Sequence, residues 1–513
     1  MINRVTGLPE KELLSYLSAL KDSELLYERG IYPQSNYIFK HALTREVVYN
    51  SILAKRKKKL HEEIGDAIEE LYKDNLREHY EVLAEHYFLS ENYSKSAEYS
   101  RLAGKKAEKT ASLNDAIIHS RKRVISLERL SRTDEIDKQI IDARTILGLY
   151  ISQMNYNVKA KEAIDPIIDL AIKRDYKRRL CQIYTILGAY YWFVEENYPE
   201  TFKAFEKALK ISEEVKDIVS LVLASYWFGI SLGSKCEFER SAHYIQRALD
   251  INVAAKNLWG IATMKSNLAY FTHLCHGKMD MAFRTSEEGF QIAEESGDIY
   301  PKAMAYVIHG ASCYGKRLLE EAEKYLLKGL EFCERINFAV WDAAAQFHLG
   351  DTYFEMGDFL KSKEHYGKAS WAFERNQSFP SWVGFGKVGV ARSKILNKEK
   401  DLDLESLYAH SRNNKLNVPE GQIQRYIGEI LLNIDDQHMS EAEHWIQKAI
   451  EADQRNRMMF HLGKDYALCA ELFKRKRDRS KAQENLGKAI EILKECGADG
   501  WVDKYDKELV ALS

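Results

Sequence analysis

The sequence predicts an all-α solenoid, a string of antiparallel helix pairs of about 40 residues each. Three observations predict it. The stretch 349–374, LGDTYFEMGDFLKSKEHYGKASWAFE, places Leu349, Gly350 and Tyr353 at helical spacing, then Ser362, Tyr366 and Ala369 beyond a Gly357-Asp358 break. This is one amphipathic helix, a tight turn and a second helix. The small residue late in the second helix then recurs at Ala208, Ala248, Gly289, Gly329, Ala369, Ala409, Ala449 and Ala489, in steps of 40 or 41 residues. Chance does not hold a register over so long a stretch. Only 7 prolines interrupt 513 residues, which leaves room for helix almost throughout.

The Leu349-Gly350-x-x-Tyr353 first helix and the Ala-containing second helix resemble the tetratricopeptide (TPR) repeat. The resemblance implies a right-handed superhelix with first helices on its concave side. At 40 residues per repeat, each helix is about 16 residues long, against the family's shorter repeat of about 34 residues.

A chain of this length exceeds a single compact core, but a repeat array has no such limit, since each repeat packs only on its neighbours. A net charge of −2 gives no global basic field for nucleic acid or an anionic membrane. Seven cysteines without a Cys-x-x-Cys argue against a disulfide framework and for a reducing compartment. With no leader and no long apolar run, the expectation is a cytoplasmic protein that does not enter membranes.

The chain divides into four expected segments. Residues 1–75 fall outside the 40-residue rhythm. They read as a helix at Glu12–Leu20, a short strand or helix end at Glu24–Glu28, a turn at Gly30–Gln34, a strand at Tyr37–Phe39 and a helix at Glu46–Leu71, the outline of a winged helix. Residues 76–175 hold less regular pairs, with Leu83, Ala84 and Tyr87 facing Tyr93, Ser96, Ser100 and Ala103. Pro166 must start or kink a helix there. The regular repeats run over 176–496, with Pro301, Pro380 and Pro419 at the entry of first helices, where proline costs no hydrogen bond. Residues 497–513, with Trp501, Tyr505 and Leu509, form a helix that caps the last repeat.

The stretches Glu24-Leu25-Leu26-Tyr27, Phe39-Lys40-His41-Ala42-Leu43, Glu46-Val47, Tyr49, Leu53, Arg56 and Leu60-His61 resemble the segment after the nucleotide-binding core of bacterial STAND-type signalling ATPases, most of all those fused to class III adenylate/guanylate cyclase domains. The resemblance covers about 110 residues; the remainder matches as a generic TPR array. It implies the order cyclase, ATPase, winged helix, TPR array. The sequence has no Gly-x-x-x-x-Gly-Lys-Ser/Thr to cradle phosphate and no cyclase-like carboxylate pair. The expectation is therefore a regulatory half without catalytic domains, not an enzyme in its own right, acting on an ATPase or cyclase in cis or in trans.

Other motifs read as structural. Gly384, Gly386 and Gly389 spell Gly-x-Gly-x-x-Gly, but no strand precedes them, so they are small residues of a tightly packed first helix. His243, His273, Cys275 and His276 do not share a helix face and lack zinc-site spacing. No metal and no cofactor is expected. The basic runs Lys55–Lys59 and Lys474–Arg479 read as solvated or docking faces.

Aromatic clusters at Tyr190–Phe193 and Tyr226–Phe228 lie in first helices, and alternate faces of one helix cannot all enter one contact. Extending the register along the concave side selects Tyr226, Ile230, Met264, Asn267, Phe271, Met304, Tyr314, Phe347, Asp351 and Phe354 as a partner-binding groove. The function expected is a TPR interaction and regulatory module that binds a peptide, protein or effector in this groove. The alternative is a transcriptional regulator placing its winged helix on DNA, which the near-neutral charge disfavours.

Overall fold

The computed structural model describes residues 1–30, 35–110, 112–399 and 401–512. Two compact units, Met1–Tyr150 and Ile151–Ser513, make up the chain. Among the described residues only one two-stranded hairpin departs from helix, so the protein is an all-α, TPR-like solenoid.

In the N-terminal unit, α1 (Ile2–Thr6) and α2 (Glu10–Asp22) lead to β1 (Leu26–Arg29) and β2 (Asn36–Phe39), which pair antiparallel with Leu26 opposite Phe39. The turn residues Ile31–Gln34 lie outside the described residues. α3 (Ala42–Ser51) and α4 (Ala54–Leu71) follow. The sequence predicted one helix over 46–71. Instead, Ile52 and Leu53 adopt ψ values of 130° and 140° and split it. The split lets the Tyr49 hydroxyl meet Nε2 of His61 at 2.9 Å. α5 (Tyr80–Leu89), α6 (Tyr93–Lys109), α7 (Leu113–Glu128) and α8 (Asp134–Gln153) complete the series. Ile68, Leu83, Ala84, Tyr87 and Tyr99 form the core of this unit's first pair.

The C-terminal unit opens with α9 (Asn157–Ile164) and α10 (Ile168–Lys173), kinked at Asp165–Ile167 where Pro166 stands. Regular pairs follow: α11 (Lys177–Tyr190) with α12 (Tyr198–Glu214), α13 (Ile218–Ser234) with α14 (Phe238–Ala254), α15 (Leu258–Leu268) with α16 (Met279–Ser296), and α17 (Ile299–Gly315) with α18 (Leu319–Ile336). Then come α19 (Ala339–Met356) with α20 (Phe359–Arg375), α21 (Pro380–Leu396) with α22 (Leu404–Asn413), α23 (Glu420–Ile434) with α24 (Met439–Arg455), and α25 (Met459–Arg475) with α26 (Arg479–Glu495). The last helix is α27 (Asp499–Ala511), which buries Trp501 and Tyr505 against the array. No helix of the described residues is long and apolar enough to cross a membrane.

The recurring small residues explain the pairing. Ala208, Ala248, Gly289, Gly329, Ala369, Ala449 and Ala489 are all buried. First-helix glycines also admit close approach of the second helix. A Cβ on Gly229 would lie 2.6 Å from Ile245, and one on Gly428 would lie 2.8 Å from Ile446. Ala409 alone is half-buried, because α22 is cut to ten residues. Gly384, Gly386 and Gly389 sit within α21, pressed on His410, Ser370 and Tyr366.

α11 and α15 each end in a π-helical turn, Tyr191–Glu195 and Ala269–Leu274. Such turns locally widen the helix and re-aim side chains. Here they aim Trp192 and Phe193 at Phe379, and Tyr270 at Trp341 and His348.

Candidate functional site

The C-terminal array winds back on itself. Hydrogen bonds join residues 182 to 220 positions apart: Lys235 to Asn417, Arg457 to Glu239, and Lys415 to the carbonyl of Glu195. One superhelical turn therefore takes about five repeats. Backbone closes part of this seam. The Phe379 N–H donates to the Phe193 carbonyl at 2.6 Å, and the Met279 N–H to the Cys496 carbonyl at 2.8 Å. Gly277, at φ +90°, lets the two turns meet; a Cβ there would lie 2.7 Å from the Phe460 nitrogen. The buried Glu196 carboxylate caps α21, accepting from the Ser381 N–H at 2.9 Å and its hydroxyl at 2.6 Å.

Closure turns the first helices inward onto one another. On one side the interior is apolar, with Ile230, Met264, Phe347, Phe385, Ile423 and Ile427 in a single core. On the other it is charged. Asp351 accepts hydrogen bonds from the hydroxyls of Tyr366, at 2.5 Å, and of Tyr426. The Arg392 guanidinium lies 3.3 Å from the Phe354 ring centre and 4.0 Å from that of Tyr426, and donates to Glu429 at 2.6 Å. Lys464 donates to the Tyr314 hydroxyl at 2.8 Å and to Glu355 at 3.0 Å, with its ammonium 4.0 Å from the Trp501 ring centre. Lys504 adds a second contact to Glu355 at 3.1 Å. Arg425 donates to Asp465 at 2.9 Å and stands 3.9 Å from Asp453.

These groups are strongly perturbed. Burial raises the Asp453 carboxyl well above the carboxylate range, and the neighbouring Asp465 charge adds to it. Asp465 is raised by burial too, against the pull of Arg425. Neither carboxyl oxygen of Asp453 has a hydrogen-bond partner. Burial brings Lys464 down to about 8, although Glu355 opposes the fall. Burial would raise Glu355, but Lys464, Lys504 and Arg392 outweigh it and hold the carboxyl well below its usual range. Perturbed groups gathered in one place mark candidate functional sites.

Seven of the ten predicted groove residues, Ile230, Met264, Asn267, Met304, Tyr314, Phe347 and Asp351, are buried, and Tyr226, Phe271 and Phe354 are half-buried. They fall into separate places. Asn267 donates to the Thr263 carbonyl and touches Met304, with Tyr226 beside it. Ile230, Met264 and Phe347 belong to the apolar core. Phe271 rests in ring contact with Tyr270. Tyr314, Asp351 and Phe354 enter the charged network. The concave side is thus filled by the array's own side chains rather than open to solvent.

Sequence reasoning missed Glu355, Arg392, Arg425, Tyr426, Lys464, Asp465 and Glu196. A signal was present: opposite charges stand one repeat apart inside otherwise apolar first helices, Asp351 with Arg392 and Arg425 with Asp465.

The remaining motifs are accounted for by packing. His276 stacks on Phe238 with centroids 4.7 Å apart, and Cys275 is buried beside Met458. Among the described residues no three His, Cys, Asp or Glu groups are placed to hold a metal ion. In the N-terminal basic run, Lys58 pairs with Glu91 at 2.6 Å, and Arg56 and Lys59 approach Glu63 at 3.8 and 3.6 Å.

No model of a known protein family matches the chain. No curated protein matches it either. Solved structures with a partial likeness include a Rap protein complexed with competence and sporulation factor, 15% identical, covering 74% of this chain and 98% of that one at a TM-score of 0.46. A human IFIT1 dimer with m7Gppp-AAAA is 15% identical, covering 81% and 90%, at 0.41. A STAND protein with a tetratricopeptide repeat sensor from Pyrococcus horikoshii is 14% identical, covering 99% and 62%, at 0.31.

Proposed function

We propose that this chain is a binding and regulatory module. A peptide or protein partner engages the first-helix face by taking over contacts that now join successive turns of the array. The observation that carries this reading is the charged interior between α19 and α27. An apolar core opens only by losing its burial, whereas a network of ion pairs and tyrosine hydroxyls can exchange one set of partners for another at small net cost, provided none is left unpaired. A partner offering carboxylate, guanidinium or hydroxyl groups meets that condition. Tyr226, Ile230, Met264, Asn267, Phe271, Met304, Tyr314, Phe347, Asp351 and Phe354 are on this reading the residues an opened array presents.

The N-terminal segment supports an effector role. α3 buries none of its ten residues: Leu43 and Val47 are exposed by 71% and 61%, and Leu53, between α3 and α4, by 79%. An isolated helix this short is marginal in water and depends on packing. A covering surface on an ATPase or cyclase, in cis or in trans, suits a winged-helix-like segment over 1–75 behind which 76–175, the regular repeats of 176–496 and the 497–513 cap act as sensor.

The test is capture of partners from the native cytoplasm with the purified full chain, identified by mass spectrometry and repeated with Tyr226→Ala/Phe271→Ala. Recovery of a STAND-type ATPase or a cyclase, weakened by the double variant, is the expected result. Recovery that the variant leaves unchanged removes the groove assignment. Salt-sensitive binding of duplex DNA, lost when Lys55, Arg56, Lys57 and Lys58 are neutralised, would instead favour a transcriptional regulator.

A further inference from the structure

The array carries an internal control for one of its own seams. Lys316, just past the end of α17, donates to Asp280 of the neighbouring α16 at 2.7 Å and, across the seam, to the Gly497 carbonyl at 2.6 Å and to Asp499. Two repeats earlier in the chain the same register recurs. Lys235 stands just past the end of α13 as Lys316 does past α17. Pro199 takes the second position of α12, as Asp280 does in α16, and Asn417 precedes α23 where Asp499 begins α27. Among the described residues neither carboxylate bonded to Lys316 has a counterpart bonded to Lys235: Pro199 replaces Asp280, Asn417 takes the contact of Asp499, and Glu420, which begins α23, is held by Arg455 and Asn456. In place of the Gly497 backbone stands Lys415, which adds a second ammonium.

A cavity of about 640 Å3 occupies this earlier seam, within the size class of small-molecule sites. Tyr198, Pro199 and Phe202 form its apolar wall, and Lys235 and Lys415 reach its edge from two different turns. Lys235 donates to the Asn417 side chain at 3.0 Å, and Lys415 to the Glu195 carbonyl at 3.2 Å. Both of these acceptors are neutral. Of the two lining glutamates, Glu196 caps α21 through Ser381 and also feels the Lys415 charge, and Glu195 interacts with Tyr190.

We infer that this cavity binds an organic carboxylate with an apolar body, whose anionic group takes the place at Lys235 and Lys415 that Asp280 and Asp499 hold at Lys316. The apolar body lies on Tyr198, Pro199 and Phe202. Two sources supply this chemistry, the free C-terminus of a peptide ending in an apolar residue and a small free acid. Binding bridges two turns and tightens the seam. The site is apart from the charged interior and stands whether or not that interior takes a partner.

The probe is N-acetyl-L-phenylalanine, with its neutral primary amide as control, followed by saturation-transfer NMR on the full chain. The acid binds at least tenfold more tightly than the amide. Lys235→Met/Lys415→Met removes that preference while leaving the far-ultraviolet circular-dichroism spectrum that of the folded parent. Asn417→Asp, which restores the carboxylate present at the later seam, also weakens acid binding at least tenfold. A pentapeptide ending in free phenylalanine then separates the sources: tenfold tighter binding than the acid assigns a peptide C-terminus, and equal binding assigns a small acid. The inference is overturned by no binding at millimolar acid, by equal binding of acid and amide, or by affinities that neither variant changes.

Discussion

Helix α17 and helix α3 are opposites. α17 buries 13 of its 17 residues, from Pro301 to Gly315, while α3 buries none of its ten. Of 30 large apolar side chains left exposed among the described residues, 13 fall within the first 53 positions. Both helices have apolar residues at helical spacing, so composition does not separate them. The difference is cover: each regular repeat is packed by the next, and the array closes on itself after about five, whereas α3 touches β2 and, through Tyr49, His61 of α4 without burying any residue. A repeat array supplies its own partner surface. A segment that buries nothing has its energetic reason elsewhere.

Five variants break or sharpen this contrast. The largest loss is expected at Phe385, fully buried and in ring contact with Phe347, Tyr366, Trp382 and Tyr426. Phe385→Ala removes an aromatic from a site that cannot collapse, and should cost about 3–5 kcal/mol in urea unfolding followed by circular dichroism.

Arg425→Met should cost about 3 kcal/mol at neutral pH, because it leaves the buried Asp465 carboxyl without the guanidinium it is bonded to. A companion variant, Asp453→Asn, reads the pH dependence. Burial and the Asp465 charge raise the folded-state pKa of Asp453 above its unfolded value of about 3.9. The folded protein therefore holds a proton that the unfolded chain releases. This stability is fully present below the unfolded pKa and falls as pH rises toward the folded one. Asparagine mimics the protonated acid, so the variant should match the parent at pH 4 and gain on it as pH climbs to 8. Melting curves that run parallel across that range would remove Asp453 as the titrating group.

The outer edge of the seam is weaker. Arg457 and Glu239 are paired at 2.7 Å but 52% and 67% exposed, so Arg457→Ala should cost under about 1 kcal/mol, and less in high salt. A larger loss would show that the turns are held at their rim rather than through the interior.

The smallest effect is expected at the N-terminus. Val47→Ser/Leu53→Ser should change unfolding free energy by no more than about 0.5 kcal/mol, since neither side chain leaves a packed site. The same pair should weaken capture of a covering partner. A substantial loss of stability in the isolated chain would mean that α3 is covered within it.

Legibility followed the range of the interaction. Tyr353, Tyr366 and Ala369 announced a helix pair because their spacing is that of one helix face meeting its chain neighbour. The break between α3 and α4 at Ile52-Leu53 carried no such mark, as neither residue is a helix breaker. Asp351 was selected for a groove on register alone, and its position in a first helix was correct. Its partners Tyr366, Tyr426 and, through them, Arg392 come from three other helices, and no local pattern points to them.

The sequence by itself determined the unit of the architecture: helix pairs, their 40-residue period and their small contact residues. Each of these rests on contacts within a repeat or between adjacent repeats, which leave a periodic trace in the chain. Tertiary structure alone decided that the array closes after about five repeats, so that Lys464 meets Glu355 and Lys316 meets Asp499 while Lys235 meets the Asn417 amide. Closure depends on a small rotation accumulated from repeat to repeat. The contacts it creates join residues 100 to 220 positions apart, a separation at which local periodicity carries no information.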